Sequence, residues 1–251
     1  MEQNMENKGI RINKFLSEAG VCSRREADRQ VEAGNVTIDG KTAGIGDRIY
    51  PGMRVAFCGK TVQQEEERIL LAVHKPRGIV CTAQKKEKDN IVDFVGYPKR
   101  IYPVGRLDKD SEGLILMTNQ GDLVNKIMRA GNLHEKEYIV DVDRKITGEF
   151  LQGMASGVYL KELQVTTRRC KVRKMGEKTF SIILTQGYNR QIRRMCEAFS
   201  YQVLRLKRVR IMNIRLGDLK PGAYRKVTEE EWKELKKLTR NSSETTVIPK
   251  K

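Results

Sequence analysis

One stretch of the chain combines ionisable and turn-forming residues directly before an apolar run. Residues 103–113 read Pro-Val-Gly-Arg-Leu-Asp-Lys-Asp-Ser-Glu-Gly, and the apolar residues 114–117 follow at once. A loop of this kind before a buried strand is where a rigid scaffold presents a functional side chain to solvent. Asp108 is the best candidate, because an aspartate can serve as a nucleophile or accept a proton. The competing interpretation is an ordinary loop aspartate paired with a neighbouring arginine.

A second cluster lies at the start of a basic helix. Gly187 follows a predicted strand, and the chain continues Tyr-Asn-Arg-Gln-Ile-Arg-Arg-Met. The glycine permits close approach of the backbone, and a helix start favours anions. Arg190 precedes Arg193 by three residues and Arg194 by four, so at roughly 100° per residue the three side chains cannot share one direction. We therefore expect at least one of them to point inward at a carboxylate.

Tyr138 is a third candidate. It begins a predicted strand after His-Glu-Lys-Glu, where its ring can be placed against a nucleic-acid base. A core tyrosine is the alternative interpretation.

The chain is strongly basic, and the excess is unevenly distributed. Its 251 residues include 49 Lys and Arg against 32 Asp and Glu, a formal net charge of +17. Residues 168–226 hold 17 basic and 3 acidic side chains, whereas residues 1–64 hold 10 and 8. Because one-sided charge destabilises a compact chain unless a polyanion neutralises it, we expect a nucleic acid partner. An anionic membrane surface is the second choice, and a merely solvated face is the plain alternative.

Hydrophobic periodicity divides the chain into two domains and a tail. Residues 9–64 combine an amphipathic helix, a second helix with a capping box from Ser23 to Glu26, and short strand signals. The acidic stretch 63–67 is the expected linker, residues 65–240 form the second domain, and residues 241–251 are expected to be a disordered tail. In the second domain the predicted strands are 69–73, 114–117, 138–142, 180–184 and 211–216, and the predicted helices are 121–130, 189–199 and 229–238. This alternation predicts an α+β fold without the regular βαβ rhythm of a doubly wound sheet.

Several classes of protein are disfavoured by what the sequence contains. The five cysteines form no C-x-x-C pair, which fits a reduced, cytoplasmic compartment better than a disulfide framework. With two histidines and no cysteine cluster, we expect no metal site. The longest apolar run is residues 69–73, so we expect neither export nor a membrane span.

Three motifs in order resemble one known family. The Gly-Arg-Leu-Asp loop with its Ser-Glu-Gly-Leu and Thr-Asn continuation, the Lys-Glu-Tyr element at 136–138 and the segment 189–195 are similar to the RsuA/RluB/RluE/RluF family of ribosomal RNA pseudouridine synthases. Residues 9–64 resemble the S4-like RNA-binding domain of such enzymes, so the resemblance covers about residues 9–238. Residues 187–191 and 211–213 most resemble the RluF subgroup, which acts on 23S rRNA.

This resemblance implies roles for individual residues and a fold for the second domain, which is a mixed, mainly antiparallel sheet with flanking helices. Asp108 would be the essential catalytic aspartate, Tyr138 would pack on the target uracil and help to handle protons, and Arg193 would be the partner of the aspartate. A nearby guanidinium favours the ionised form of a carboxylate. Residues expected to contact RNA are Arg106, Arg190 and Arg194 in the second domain and Arg11, Lys14, Arg24 and Arg25 in the first.

The implied reaction needs no cofactor and no metal, because isomerising uridine oxidises nothing and imports no group. The implied partner is a structured ribosomal RNA stem-loop, bound by a monomer. Three alternatives remain at this point. They are a non-catalytic S4-type RNA-binding protein of ribosome assembly, a pseudouridine synthase acting on 16S rRNA, and an RNA methyltransferase, which is weaker because the sequence lacks a glycine-rich loop between a strand and a helix.

Overall fold

The computed structural model describes residues 9–63, 67–84 and 86–243. The chain divides into two compact units between Arg68 and Ile69, whereas the sequence predicts the division between residues 64 and 65. Residues 64–66 of the predicted linker and residues 244–251 of the predicted tail lie outside the described residues. No helix in the described ranges is long and apolar enough to cross a membrane.

The first unit packs two short helices on small antiparallel sheets. Its elements are β1 (Ile10–Arg11), α1 (Ile12–Glu18), α2 (Arg24–Glu32), β2 (Val36–Ile38), β3 (Lys41–Thr42), β4 (Arg48–Ile49), β5 (Val55–Phe57) and β6 (Lys60–Thr61). β3, β2, β5 and β6 form one sheet in that order, and β1 pairs with β4. The predicted helical stripe is confirmed, because Ile12, Phe15 and Leu16 are buried on one side of α1.

The predicted capping box of α2 forms only in part. The Ser23 hydroxyl accepts a hydrogen bond from the Glu26 backbone N–H at 3.2 Å. The Glu26 carboxylate turns the other way, accepting from the Gln30 amide at 2.9 Å and pairing with Arg29. A charged neighbour one turn along the helix thus competes with the backbone for this carboxylate.

The second unit is built on a nine-stranded sheet. Its elements are β7 (Leu70–Lys75), α3 (Ile91–Val95), β8 (Tyr102–Pro103), β9 (Glu112–Thr118), α4 (Gly121–Met128), β10 (Lys136–Val142), α5 (Gly148–Ser156), β11 (Tyr159–Leu160), β12 (Val165–Thr166), β13 (Lys171–Lys174), β14 (Thr179–Leu184), α6 (Gln191–Glu197), β15 (Val203–Ile211), β16 (Ile214–Arg215), β17 (Tyr224–Lys226) and α7 (Glu229–Leu238). The main path of the sheet is β13-β14-β10-β15-β9-β7-β17, with β16 on β15 and β8 on β9. Every pair is antiparallel except β15 with β9. The α+β architecture predicted from the sequence is confirmed.

The central strands are buried on both faces of the sheet. In β9, Ile115 and Met117 belong to one core cluster, while Leu114 and Leu116 belong to the other. Helices α3, α5 and α6 cover the first face, and α4 and α7 cover the second. This explains why the predicted strands 69–73 and 114–117 read as continuous apolar runs rather than as alternating ones.

The predicted strand 211–216 is wrong. β15 ends at Ile211 and β16 begins at Ile214, with Met212 at φ +52° in the tight turn between them. The strand signal therefore spanned a hairpin, and the nine-residue β15 before it was missed.

The start of the predicted tail is held in place. The Ser243 backbone N–H donates to the Asn132 side-chain oxygen at 3.0 Å, and the Asn132 amide donates back to the Ser243 carbonyl at 3.2 Å. His134 Nε2 lies 2.7 Å from the Ser242 hydroxyl. For residues 241–243 the expectation of disorder is therefore corrected, because local polar contacts satisfy their backbone.

Candidate active site

A cavity of 590 Å³ opens over three neighbouring strands of the large sheet. Side chains of β10, β14 and β15 line it together with residues from the segments 80–82, 105–111 and 186–193. Five of the residues predicted from the sequence meet here, namely Arg106, Asp108, Tyr138, Arg190 and Arg193. The three motifs, distant in sequence, therefore form one site.

Asp108 is carried by a loop whose backbone is tied at several points. The Asp108 carbonyl accepts from the Ser111 backbone N–H at 3.0 Å, and the Lys109 carbonyl accepts from Gly78 at 2.9 Å. The preceding Leu107 is buried in the core, while Asp108 itself is half-buried in the cavity lining. The loop is thus anchored on both sides of a carboxylate that remains accessible.

Arg193 projects from the buried side of α6 toward the Asp108 loop. Its Nη1 donates to the Val203 carbonyl at 3.2 Å, and its Nη2 donates to the Asp110 carbonyl at 3.3 Å, with the Ser111 hydroxyl at 3.5 Å. Burial, followed by the nearby Arg190, lowers the pKa of Arg193, while the carboxylates of Asp108 and Asp110 oppose that shift. The guanidinium therefore binds the loop through Asp110 and Ser111, and it acts on Asp108 electrostatically.

Tyr138 and Arg190 occupy different parts of the cavity. Tyr138 lies on the buried face of β10, directly opposite Arg208 of β15 in the sheet register. Arg190 precedes α6 with φ +52° and lies 3.6 Å from the Asp110 carboxylate. Arg106 is exposed at the cavity lining. The tyrosine is therefore part of the cavity floor, and the two arginines are accessible to an anion from solvent.

The structure places Arg194 elsewhere. It is not among the residues that line the cavity, its guanidinium pairs with Glu162, and its Nε donates to the Asn189 carbonyl at 3.1 Å. The structure therefore does not bring Arg194 to the cavity with the other arginines that the sequence predicts. The i, i+3 and i, i+4 spacing left open which arginine turns inward, and the inward one is Arg193.

Three buried residues of the cavity were missed by sequence reasoning. Lys136 and Arg208 are 4% and 1% exposed, and Gln186 is also buried, yet all three line the cavity. Lys136 belongs to the Lys-Glu-Tyr motif at 136–138, and the family resemblance gives a role only to Tyr138 in that motif. Arg208 lies within the basic stretch 168–226, and no feature of the sequence separates it from the exposed cations around it.

The cavity is strongly cationic. Among the described residues that line it, Asp108 supplies the one carboxylate, and the cations are Arg106, Lys109, Lys136, Arg190, Arg193 and Arg208. Burial and the charge of Arg208 lower the pKa of Lys136 to about 8. Such a surface favours an anionic ligand.

Several arginines of the basic stretch 168–226 form ion pairs with carboxylates of the same domain. Arg205 pairs with Glu112, Arg210 with Glu135 and Glu137, and Arg225 with Glu231. The charge available to a polyanion on this part of the chain is therefore smaller than the residue count suggests.

A second, smaller basic cavity of 290 Å³ lies in the first unit. Three of the cations predicted there, Arg11, Lys14 and Arg24, line it, whereas Arg25 is exposed outside it. Arg48, which no sequence motif indicates, also lines it and donates from Nη1 to the Gly9 carbonyl at 2.6 Å. The N-terminal ends of α1 and α2 thus meet around a polar cleft suited to phosphate.

Comparisons with known proteins identify both units. The sequence pattern of the S4 domain matches residues 10–55, and that of the RNA pseudouridylate synthase family matches residues 69–198. The chain belongs to the RNA pseudouridylate synthase family. The match spans the Asp108 loop, Tyr138 and Arg193, but ends before β15 and Arg208.

Family members from several bacteria are similar along most of the chain. The dual-specificity RNA pseudouridine synthase RluF of Escherichia coli strain K12 is 53% identical over 239 residues, covering 94% of this chain and 82% of that protein. The ribosomal large subunit pseudouridine synthase B of Bacillus subtilis strain 168 is 34% identical over 235 residues, covering 91% and 96%. A crystal structure of a pseudouridylate synthase superposes with a TM-score of 0.67 at 26% identity, covering 90% of this chain and 99% of that one. The family suggested by the sequence motifs is confirmed.

Proposed function

We propose that this chain isomerises specific uridines of ribosomal RNA to pseudouridine, with Asp108 as the essential aspartate. The observation that carries the proposal is the cavity in which Asp108, Tyr138 and Arg193 converge and in which Asp108 is the one carboxylate among the described lining residues. The catalytic domain is assigned to residues 65–240 and the RNA-anchoring S4-like domain to residues 9–64. The activity fits a site built from a carboxylate, an aromatic ring and guanidinium groups.

The reaction breaks the N1–C1′ bond of uridine, turns the uracil, and joins its C5 to C1′. The proton on C5 is lost and N1 gains one, so the product is an isomer of the substrate. Asp108 can attack C1′ and form an ester, or it can remove the C2′ proton and leave a glycal. In both routes the carboxylate of Asp108 acts directly on the ribose, as nucleophile or as base.

The target base must leave its stack before it can reach this cavity. Extrusion of a base costs a few kcal/mol, and stacking on an aromatic ring returns about 1–3 kcal/mol. Tyr138 supplies the ring on the cavity floor, while Arg106 and Arg190 are placed to hold phosphates near the opening. The arrangement suits a base that enters the cavity from a loop whose backbone stays outside.

The proposed substrate is a structured stem-loop of 23S rRNA. Support comes from the similarity to a ribosomal large subunit pseudouridine synthase and from the basic clefts in both units. RNA-binding proteins read loops and bulges more readily than continuous duplex, and an S4 domain provides a second contact. We assign the reaction to a monomer in the cytoplasm, where ribosomal RNA is found. Because the similar RluF enzymes are called dual-specificity, a second RNA target is included in the test.

Carbodiimide labelling of pseudouridine, read by primer extension, tests the proposal. Total RNA of every size class is compared between the host strain, a deletion strain, and the deletion strain complemented with wild-type protein or with Asp108→Asn. We expect at least one 23S rRNA stop to vanish on deletion and to return only with the wild type. A change confined to 16S rRNA would reassign the substrate. Identical patterns in all strains would favour a non-catalytic RNA-binding role.

A further inference from the structure

The cavity floor holds two buried cations that the proposed role of Asp108 does not use. Lys136 of β10 and Arg208 of β15 lie on neighbouring strands, line the same cavity and are each more than nine-tenths buried. Within the described part of the chain, neither forms a salt bridge with a carboxylate. Burying two like charges side by side is unfavourable unless they meet an anion or strong hydrogen-bond acceptors.

Structural contacts account for only part of their hydrogen-bonding capacity. Arg208 donates from Nε to the Leu114 carbonyl at 2.7 Å and from Nη1 to the Arg106 carbonyl at 3.3 Å, which anchors the catalytic loop. Its Nη2, however, is buried with no partner in the described structure. The Lys136 ammonium carries three protons and donates to the His134 carbonyl at 3.2 Å. Donors are therefore left over on both groups, and both residues line the cavity.

Chemistry supplies the missing acceptor, provided that the chain has the function proposed above. When the N1–C1′ bond breaks, its electron pair stays with N1 and spreads onto the O2 and O4 carbonyl oxygens of the uracil. C1′ is then captured by Asp108, or the C2′ proton passes to Asp108. The detached ring is an anion until C5 bonds to C1′, and the proton on C5 is then replaced by one on N1 to give the product. Preorganised donors aimed at such developing charge are among the strongest catalytic devices.

We propose that Lys136 and Arg208 bind the carbonyl oxygens of the uracil and stabilise the negative charge that the ring acquires as it leaves C1′. The geometry favours the ring over a phosphate. The accessible cations, Arg106 and Arg190, occupy positions open to solvent, where the RNA backbone remains, while Lys136 and Arg208 lie beneath the surface. Tyr138 lies opposite Arg208 in the register and lines the same cavity as both cations, so a base that stacks on its ring enters the space that they line.

The test combines two changes. The variant Lys136→Met removes a buried charge from the protein, and 5-fluorouridine makes the uracil anion more stable. RNA stem-loops carrying uridine or 5-fluorouridine at the target are incubated with excess enzyme, and loss of the intact nucleoside is followed after digestion. Fluorine withdraws electrons and stabilises the uracil anion, so the fluorinated base depends less on the protein. For Lys136→Met we expect uridine turnover to fall by about 10²–10³-fold, and the decrease with 5-fluorouridine to be at least about tenfold smaller.

Two further variants separate the possible results. Lys145→Met is the matched control, because Lys145 is 73% exposed and pairs with Glu177 rather than with the cavity, and it should act like wild type on both substrates. Lys136→Arg, which keeps the charge, should retain more activity than Lys136→Met, and it also serves if the methionine variant does not fold. Equal decreases on the two substrates, or a decrease of RNA affinity alone, would overturn the inference. An inactive wild-type enzyme would instead refute the proposed function.

Discussion

The Arg193 guanidinium donates to the backbone carbonyl of Asp110 at 3.3 Å and is thereby tied to the loop that presents Asp108. The same guanidinium donates to the Val203 carbonyl at the start of β15. One planar group thus joins helix α6, a central strand and the Asp108 loop. Its position depends on a fork of several donors as well as on its charge.

Replacing Arg193 with lysine should therefore impair the reaction even though the charge is kept. A lysine replaces the two separate nitrogens that donate to Val203 and Asp110 with a single ammonium, and a small displacement of the loop can cost about 10²-fold in rate. We expect this decrease in the single-turnover rate at saturating RNA. Lys171→Ala, at an exposed position on β13, is the comparison and should weaken RNA binding in a salt-dependent way without changing that rate. If both variants were impaired in affinity alone, Arg193 would be only a phosphate-binding residue.

Gly113→Ala should destabilise the second unit. Gly113 has φ +109°, and a Cβ there would lie 2.3 Å from the Arg208 carbonyl oxygen, because β9 and β15 approach closely at this point. Strain and the backbone clash should lower the free energy of unfolding by at least about 1–3 kcal/mol in urea denaturation. Gly148→Ala, with no atom near the added methyl and no positive φ, should be nearly neutral. Equal stability of the two variants would refute this explanation of the close approach.

Lys136→Met should stabilise the protein at neutral pH. Burial and Arg208 lower the pKa of Lys136 from 10.5 to about 8. Below pH 8 the lysine is protonated in both states, and keeping its charge buried costs the folded chain free energy. That cost is relieved as the pH rises from about 8 toward 10.5, where only the unfolded lysine remains protonated. We expect a gain of about 2–3 kcal/mol at pH 7.

Urea denaturation at pH 7 and at pH 9.5 measures this effect, and the advantage of the methionine variant should shrink at the higher pH. Lys145→Met should show no such trend. A methionine variant that is less stable than wild type at both pH values would mean that Lys136 is a structural residue. Higher stability together with lower activity is the signature of a charge retained for function.

The basic cleft of the first unit should contribute affinity and not rate. We expect the double variant Arg11→Ala and Arg24→Ala to raise the Kd for the RNA stem-loop. The slope of log K against log salt should fall by about one for each phosphate that the protein no longer neutralises. The single-turnover rate at saturation should stay near that of wild type. Arg54→Ala, at an exposed position outside the cleft, is the control. Unchanged binding by the double variant would remove this cleft from RNA recognition.

Local patterns were sufficient to predict most elements near the site. In the run 114–117 and on the buried side of α1, the spacing of the apolar residues directly indicates which side chains are buried. The long strand β15 is not predicted, because cations interrupt the alternation of apolar and polar residues along it. Two of these cations, Arg208 and Arg210, bind partners that are distant in sequence. Sequence separation hides such partners from any local pattern.

The composition of the site was predictable only in part. The sequence motifs indicate Asp108 and Arg193, and the structure brings both to one cavity. Lys136 and Arg208 were not selected, because a lysine or arginine is ordinarily exposed and only the packed sheet makes these two buried. Arg194 shows the same limit, since its ion pair with Glu162 brings the turn between β11 and β12 to α6, and no local pattern indicates that contact.

The central claim is that the Asp108 carboxylate performs the isomerisation, and purified Asp108→Asn tests it most directly. The asparagine preserves the size and polarity of the side chain but removes the charge and the nucleophile. Binding to the stem-loop and pseudouridine formation are measured on the same preparation, with wild type alongside. The account predicts RNA affinity within a few-fold of wild type and no detectable pseudouridine. Substantial turnover by Asp108→Asn would contradict it.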